Sequence, residues 1–327
     1  MLPENFAEPD NFKWGTFKNK EGATIRYGSI QPQGTPKGTM VFATGFREPI
    51  EKYFETIRDM TARGFAVWIL DWRGQGGSDR YLKQTPQRMH SIGYDEHIDT
   101  LNQFATKVVK KNDGPTILAG HSMGGHISLR YLKEHPGVFD SAVLTAPMVD
   151  VVTAMPNKLA RLIVSFARFG GTQERYAPGH KDWFDGRDPF DGNLKTSDRA
   201  RYDVLDEIFR TKPTLTMGDA TYGWVYQTFQ SISTLNRDDY LKDIKTPVLM
   251  QVSGDDGIVN KNAALRAAKI MPNCTAYEMP TAKHEIWMER DELRNQWLAR
   301  LDAFLAPQLK PAAPAPKKPK PQGPKPS

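Results

Sequence analysis

Residues 120–125, Gly-His-Ser-Met-Gly-Gly, constrain the fold of this chain more than any other part of its sequence. An apolar, strand-like run at 115–119 precedes them, and a helix-like segment at 127–132 follows. A strand that passes into a helix through Gly-x-Ser-x-Gly exposes the serine on a turn too tight for side chains at the flanking positions. The pattern therefore predicts that Ser122 is a nucleophile at a strand end. The alternative is a glycine-rich turn in which the serine only caps the helix.

Strand-like and helix-like segments alternate on both sides of this motif. A hairpin formed by 12–17 and 23–27 comes first. The later strands are predicted at 39–44, 66–71, 141–146, 247–252 and 274–279, and the helices at 50–64, 95–111, 261–271 and 289–305. Repeated βα units predict an α/β fold with a mostly parallel sheet and helices on both faces.

The alternation stops for about ninety residues after Pro147. Residues 151–240, which we call the cap segment, are rich in aromatic residues, Met, Pro and Gly and show no strand pattern. We interpret 1–150 and 241–306 as two halves of one α/β core and 151–240 as a cap over the strand ends, where open α/β sheets bind ligands. Eight aromatic residues of the cap segment either line an apolar channel or form its own small core: Phe166, Phe169, Trp183, Phe184, Phe190, Trp224, Tyr226 and Phe229.

A serine nucleophile needs a base to take its proton and a carboxylate to orient that base. Of the seven histidines, His284 stands between the last predicted strand and the last predicted helix, where this topology brings a base to the serine. His121 adjoins the serine in the chain, but its side chain cannot fold back onto the hydroxyl, so we expect it to pack against the core. A surface histidine that caps the following helix is the alternative for His284.

Two neighbouring aspartates, Asp255 and Asp256, are candidates for the carboxylate, because both lie in the loop after the strand at 247–252. The order Asp256-Gly-Ile-Val favours Asp256, with Asp255 as a turn residue or a helper. If Ser122 and His284 are not catalytic, the alternative is that both aspartates only stabilise a turn.

Stabilising the oxyanion of an acyl-transfer reaction takes two backbone N–H groups. Met123, the residue after the nucleophile, supplies one, and Phe46, after the strand at 39–44, is expected to supply the other. Neither a dinucleotide motif nor a metal motif competes, since Gly74-Gln75-Gly76-Gly77 lacks the required spacing and Cys274 is the only cysteine. We therefore expect neither a cofactor nor a metal.

The positive charge of this chain is concentrated in its last residues. Residues 307–327 hold eight prolines and five lysines but no acid, and without those lysines the net charge of +6 falls to +1. We expect this tail to be disordered and the body not to bind nucleic acid. The tail either only aids solubility or makes weak contact with anionic lipid. The chain shows neither a secretory signal nor a membrane-spanning run, so we expect a cytoplasmic location, with the tail able to hold the protein at the inner face of the membrane.

The sequence resembles the α/β-hydrolase superfamily, and within it the lysophospholipase and monoacylglycerol-lipase branch. The resemblance covers about 12–305 and is carried by these motifs: Thr44-Gly45-Phe46-Arg47-Glu48, Glu51-Lys52-Tyr53, Asp71-Trp72-Arg73-Gly74-Gln75-Gly76-Gly77-Ser78, 120–125, Ala220-Thr221-Tyr222-Gly223-Trp224 and Lys283-His284-Glu285. One departure is Thr44, where monoacylglycerol lipases carry histidine before the same glycine.

The resemblance implies a serine hydrolase that cleaves carboxylic esters of lipid-like substrates, most closely lysophospholipids or monoacylglycerols. The superfamily also implies alternatives: a carboxylesterase for small esters, a thioesterase, a peptidase, an acyltransferase or a non-catalytic binding protein. Relatives that act as epoxide hydrolases or dehalogenases need an aspartate at the position of Ser122, and the serine argues against both.

Overall fold

The computed structural model describes residues 2–153, 157–169, 171–237 and 239–309 of the 327-residue chain. The strands are β1 (Lys13–Lys18), β2 (Thr24–Ile30), β3 (Gly38–Ala43), β4 (Phe65–Leu70), β5 (Thr116–His121), β6 (Ser141–Thr145), β7 (Val248–Ser253) and β8 (Cys274–Met279). The helices are α1 (Phe54–Ala62), α2 (Tyr94–Gln103), α3 (Met123–Glu134), α4 (Asn157–Phe169), α5 (Arg199–Thr211), α6 (Tyr222–Leu235), α7 (Lys261–Ile270) and α8 (Asp291–Leu305). Each strand predicted from the sequence is present within a few residues of its expected position.

The eight strands form one sheet in the order β1-β2-β4-β3-β5-β6-β7-β8. β2 runs antiparallel to β1 and to β4, and every pairing from β4 to β8 is parallel. The central strands are buried along their whole length because helices cover both faces, which is why they read as continuous apolar runs. This confirms the predicted α/β class and matches the α/β-hydrolase fold.

Alternate side chains of each central strand enter two different cores. In β3, Val41 and Ala43 join the core under α2, α3 and α7, whereas Met40 and Phe42 join the core under α1 and α8. A period of two along the strand is what separates the two faces. The result is a three-layer structure in which the loops at the carboxyl ends of the strands are held by packing on both sides.

The cap segment lies between β6 and β7, where the alternation of strands and helices was predicted to stop. It contributes α4, α5 and α6, and α4 packs on α6. Its treatment as a separate unit stays a prediction. Among the helices in the described ranges, none has both the length and the apolar character that crossing a bilayer requires.

The first residues of the predicted tail, 307–309, are part of the folded structure. Ala306–Gln308 form a short 3-10 helix after α8, and Leu309 packs against the core under α1 and α8. An apolar side chain with a core to contact explains why the folded body extends past the predicted boundary at 307. The rest of the predicted tail, 310–327, lies outside the described residues.

Candidate active site

Four loops at one edge of the sheet carry the predicted site residues. Phe46 follows β3, Ser122 follows β5, Asp256 follows β7 and His284 follows β8. Because these strands are parallel, their carboxyl ends meet at the same edge. Residues that are far apart in the sequence are thereby brought together by the sheet.

The turn at Ser122 is strained in the way that the motif predicts. Ser122 has φ 51° and ψ −115°, a conformation that side-chain-bearing residues rarely adopt. A Cβ atom at Gly124 would lie 2.0 Å from the Ala43 carbonyl oxygen, and one at Gly120 would lie 2.6 Å from Ser128 Oγ. The glycines therefore let α3 approach β3 closely, and the tight packing holds the serine in its strained turn.

Ser122, His284 and Asp256 form a continuous hydrogen-bonded chain. His284 Nε2 lies 2.9 Å from Ser122 Oγ, and His284 Nδ1 lies 2.8 Å from Asp256 Oδ2. Since an ionised carboxylate can only accept, His284 Nδ1 donates to Asp256 and Nε2 is left to accept the serine proton. Both side chains of the His–Asp pair are almost wholly buried.

The carboxylate of Asp256 is held ionised by its surroundings. Burial acts to raise its pKa, but His284 and the backbone N–H groups of Ile258 and Val259 outweigh burial and lower it. Those two N–H groups donate to Asp256 Oδ1 at 2.8 and 2.9 Å. Asp255, the alternative candidate, is exposed at its side chain and does not reach His284.

The two predicted oxyanion donors lie on adjoining loops. Met123 begins α3, so its N–H has no acceptor within the helix, and Phe46 follows the Thr44-Gly45 turn. Trp72 fixes that turn, because its Nε1 donates to the Thr44 carbonyl oxygen at 2.8 Å. Within the described part of the chain, neither the Phe46 nor the Met123 N–H donates to a protein acceptor. Their role as oxyanion donors stays a prediction.

His121 packs beside the site rather than joining the proton path. Its Nδ1 lies 3.1 Å from the Thr145 carbonyl oxygen, and its ring centroid lies 4.9 Å from that of His284. Burial lowers the pKa of His121 to about 4, so the ring is neutral at pH 7. The neutral ring of His121 therefore places no positive charge beside His284 at pH 7.

A buried lysine, to which the sequence analysis gave no role, connects two loops of the site. Lys52 Nζ lies 2.9 Å from Glu48 Oε1 and 2.7 Å from Glu285 Oε1. Burial lowers the pKa of Lys52, but Glu285 and Glu48 outweigh it and raise the pKa. The Glu48 carboxylate also accepts the Gly45 N–H at 2.7 Å and the Tyr53 hydroxyl at 2.5 Å. Although burial opposes ionisation, Lys52 and the other partners hold the pKa of Glu48 at about 2.

Residues 193–197 of the cap segment lie against the loop that carries His284. The backbone N–H groups of His284 and Glu285 donate to the carbonyl oxygens of Leu194 and Lys195, at 3.3 and 2.7 Å. Thr196 Oγ1 donates to the Met288 carbonyl oxygen at 2.7 Å. Nothing in the sequence pattern of the cap segment indicated this contact.

The site opens into a cavity of about 120 Å³ beside Ser122. Its apolar wall comes from Phe46, Leu205 and Ile258, and its polar wall includes Arg47, Glu48, Lys52, Lys195 and Glu285. This volume is below the range typical of pockets that enclose whole ligands. The cavity therefore suits the groups around the bond that is broken, and a longer substrate would extend out of it.

Some aromatic residues of the cap segment form a small core, as one expectation held, and one of them lies beside the site, as the expected apolar channel would require. Phe229 is buried, and Trp183 packs edge-on against Phe209 at 5.4 Å between ring centroids, as in a small core. Trp224 lies 4.3 Å from the ring of Phe46 and so covers the loop of the predicted oxyanion donor. Phe166 and Phe184 are exposed. The side chain of Phe169 lies outside the described residues.

The chain is similar to known proteins over most of its length. The model of the family described as "Serine aminopeptidase, S33" matches residues 34–291. Lysophospholipase L2 of Escherichia coli (strain K12) is 33% identical over 276 residues, which cover 78% of this chain and 76% of that protein. The monoacylglycerol lipase of Mycolicibacterium smegmatis is 33% identical over 168 residues, 50% of this chain and 54% of that protein.

A solved structure has the same fold. A soluble variant of monoglyceride lipase from Saccharomyces cerevisiae, crystallised with a substrate analog, superimposes with a TM-score of 0.74 at 20% identity. The superposition covers 94% of this chain and all of that one. At this level of identity the likeness bears on the fold alone.

Proposed function

Because this chain belongs to the serine aminopeptidase S33 family of α/β hydrolases, we propose that it is a serine hydrolase that cleaves a carboxylic ester of a lipid. The observation that carries the proposal is the chain of hydrogen bonds from Ser122 Oγ through His284 to Asp256, at 2.9 and 2.8 Å. A serine, a base and a buried carboxylate in this order are the parts that acyl transfer through an acyl-enzyme needs.

Each group has a distinct task in the proposed reaction. Ser122 Oγ attacks the ester carbonyl carbon while His284 Nε2 takes its proton, and Asp256 holds the imidazole in orientation. The N–H groups of Phe46 and Met123 stabilise the negative oxygen of the tetrahedral intermediate. His284 then gives the proton to the leaving alcohol, and the acyl group remains on Ser122. A water molecule, activated by His284, releases the fatty acid and restores the serine.

The substrate class is a lysophospholipid or a monoacylglycerol. Proteins named lysophospholipase L2 and monoacylglycerol lipase are the relatives at 33% identity that support this class. The apolar wall of the cavity, formed by Phe46, Leu205 and Ile258, suits the start of an acyl chain. Because the cavity is small, the remainder of the chain would lie along the cap segment.

The family description raises a second candidate, an aminopeptidase. Such an enzyme needs a carboxylate beside the nucleophile to bind the charged α-amino group of its substrate. The acids of the cavity wall, Glu48 and Glu285, are both engaged by Lys52. This arrangement supports an ester substrate over a peptide with a free N-terminus.

The last residues of the chain suggest how the enzyme would reach its substrate. Residues 310–327 contain five lysines and no acid. We propose that they make weak contact with an anionic lipid surface, since each lysine near such a surface contributes about 1 kcal/mol.

Labelling and a substrate series test the proposed function together. We expect a fluorophosphonate to label Ser122, and we expect turnover to rise from short esters to long-chain lysophospholipids and monoacylglycerols. Higher activity on thioesters or amino-acid amides would favour the thioesterase or peptidase alternatives. Absence of labelling together with absence of turnover would favour a non-catalytic binding protein.

A further inference from the structure

Three basic side chains line the cavity beside Ser122, and they are not equally neutralised. Lys52 sits between two carboxylates, at 2.9 Å from Glu48 and 2.7 Å from Glu285. Its charge is therefore fully compensated by the protein. The other two, Arg47 and Lys195, keep donors for which the described residues supply no acceptor.

Arg47 follows Phe46 directly and has φ 60°, a backbone conformation that residues other than glycine rarely adopt. Its Nε donates to the Met217 carbonyl oxygen at 3.2 Å and its Nη1 to Asp219 at 3.1 Å. Its Nη2 is buried without a hydrogen-bond partner among the described residues, and Asp188 Oδ2 lies 3.8 Å away, too far for a hydrogen bond. A buried guanidinium nitrogen without an acceptor is unfavourable unless a ligand supplies one.

Lys195 also lines the cavity and belongs to the cap segment. Its backbone carbonyl oxygen accepts the Glu285 N–H at 2.7 Å, which fixes the residue next to the loop of His284. In the described ranges no carboxylate lies within 4.0 Å of its Nζ, and the contact it makes is with the ring of Tyr202, 5.5 Å from the centroid. Burial lowers the pKa of Lys195, and although the carboxylates of Glu285 and Asp188 act to raise it, the positive charges of Arg47 and Lys52 act to lower it. A bound anion would relieve this crowding of like charge.

We propose that Arg47 and Lys195 form a subsite for the phosphodiester group of a lysophospholipid, and that this subsite makes the enzyme prefer lysophospholipids to monoacylglycerols. The inference rests on the proposed function, because it concerns the alcohol that leaves when Ser122 takes the acyl group. In a lysophospholipid the phosphate stands at the other end of the glycerol unit from the ester. A monoacylglycerol has a neutral hydroxyl there and would supply no anion to Arg47 Nη2 or to Lys195 Nζ.

The chemistry of the two side chains fits a phosphodiester. A guanidinium donates along a fixed direction to a phosphate oxygen, and an ammonium acts as a mobile point charge. Neither group takes part in bond making or breaking, so both are specificity-determining residues rather than catalytic ones. Their effect is expected on the choice between substrates.

The test compares two substrates that share one acyl chain, 1-acyl-lysophosphatidylethanolamine and 1-monoacylglycerol, in the same neutral detergent micelles. We expect Lys195→Met to lower the ratio of kcat/KM for the phospholipid to kcat/KM for the glyceride by about tenfold or more, the effect of one lost charge-assisted hydrogen bond. Lys195→Arg, which keeps the charge, should retain most of the ratio. Lys181→Met is the matched control, since this exposed cap lysine contacts the ring of Phe184 and lies away from the cavity wall.

Arg47→Lys tests the other half of the subsite, because it keeps a charge but removes the unpartnered Nη2. We expect a lower ratio here too, with fluorophosphonate labelling of Ser122 retained as evidence that the site is folded. In a second measurement, glycerol 3-phosphate at constant ionic strength should slow labelling of the wild-type protein. It should have a weaker effect on Lys195→Met.

The outcomes separate the subsite from the proposed function. If Lys195→Met lowers turnover of both substrates equally, or of neither, the subsite does not exist, and the assignment of a serine hydrolase stands. The same conclusion follows if glycerol 3-phosphate protects both proteins equally. If the wild-type protein is neither labelled nor active on either lipid, the proposed function fails, and the subsite fails with it.

Discussion

Lys52 Nζ lies 2.7 Å from Glu285 Oε1, although 233 residues separate the two in the chain. Lys52 also contacts Glu48, which accepts the Gly45 N–H. One buried ammonium thus fixes both the loop of the predicted oxyanion donor Phe46 and the loop of His284. Positioning of the reacting groups to within a fraction of an ångström is what such contacts supply.

Lys52→Met should leave two buried carboxylates without their cation. Removing one partner of a buried ion pair costs about 3–5 kcal/mol, so we expect a loss of that order in the free energy of unfolding and a large loss of kcat. Urea unfolding and ester hydrolysis measure the two effects. The double variant Lys52→Met/Glu285→Gln should be more stable than Lys52→Met alone, and equal or lower stability would argue against the pair as described.

Ser122→Ala should abolish turnover and fluorophosphonate labelling while the fold is kept. Loss of such a nucleophile typically lowers kcat by about 10⁴- to 10⁶-fold. Ser165→Ala is a matched control, because Ser165 lies on α4 and its hydroxyl donates to the Arg161 carbonyl oxygen. A Ser122→Ala protein that retained a tenth of the activity would contradict the assignment.

Asp256→Asn should lower kcat far more than Asp255→Asn. The amide keeps the shape of the side chain but favours the wrong histidine tautomer, which costs about 10⁴-fold in the well-studied serine protease triad. Steady-state kinetics of the two variants on one ester decide the matter. Greater damage from Asp255→Asn would transfer the role of the carboxylate to that residue.

The buried ring of His97 should make the free energy of unfolding depend on pH. Its ring packs against Trp72 and Tyr94, its Nδ1 has no hydrogen-bond partner among the described residues, and burial lowers its pKa from 6.5 to about 4. Between these values the unfolded chain binds a proton at His97 and the folded chain does not. The free energy of unfolding therefore falls as the pH is lowered through this window, by about 1.4 kcal/mol per pH unit for this group.

His97→Met removes that titration while filling a similar volume. We expect the slope of unfolding free energy against pH, measured by urea unfolding between about pH 4.5 and about pH 6, to decrease by about 1.4 kcal/mol per pH unit. An unchanged slope would mean that the folded protein binds a proton at His97 as readily as the unfolded chain does.

Deleting 310–327 should leave hydrolysis of a soluble short-chain ester unchanged, since Ser122, Asp256 and His284 are hydrogen-bonded to one another within the described residues, which end at Leu309. If the lysines contact anionic lipid, the shortened protein should co-sediment more weakly with vesicles of anionic lipid, and added salt should weaken the full-length protein in parallel. Equal sedimentation of both proteins would leave the tail as an aid to solubility.

The sequence indicated the sheet and the hydrogen-bonded chain of Ser122, His284 and Asp256 because local patterns carry them. Apolar runs mark buried strands, paired glycines mark the turn at Ser122, and the order of loops along the chain places His284 and Asp256. Lys195 was missed because it lies between α4 and α5 of the cap segment, in a stretch whose described residues form neither helix nor strand. Lys52 and Glu285 belong to two of the motifs that carry the resemblance, but no local sequence pattern indicates that residues so far apart in the chain form an ion pair.

The contact between residues 193–197 and the loop of His284 couples the position of the imidazole to the cap segment. Leu194 and Lys195 accept hydrogen bonds from the backbone of the very residues that hold the imidazole in place. A replacement cap with a different backbone path at 193–197 would leave these two N–H groups without their acceptors, and the loop of His284 would lose part of its support. Any redesign of the cap segment in this protein therefore has to keep the backbone path of 193–197.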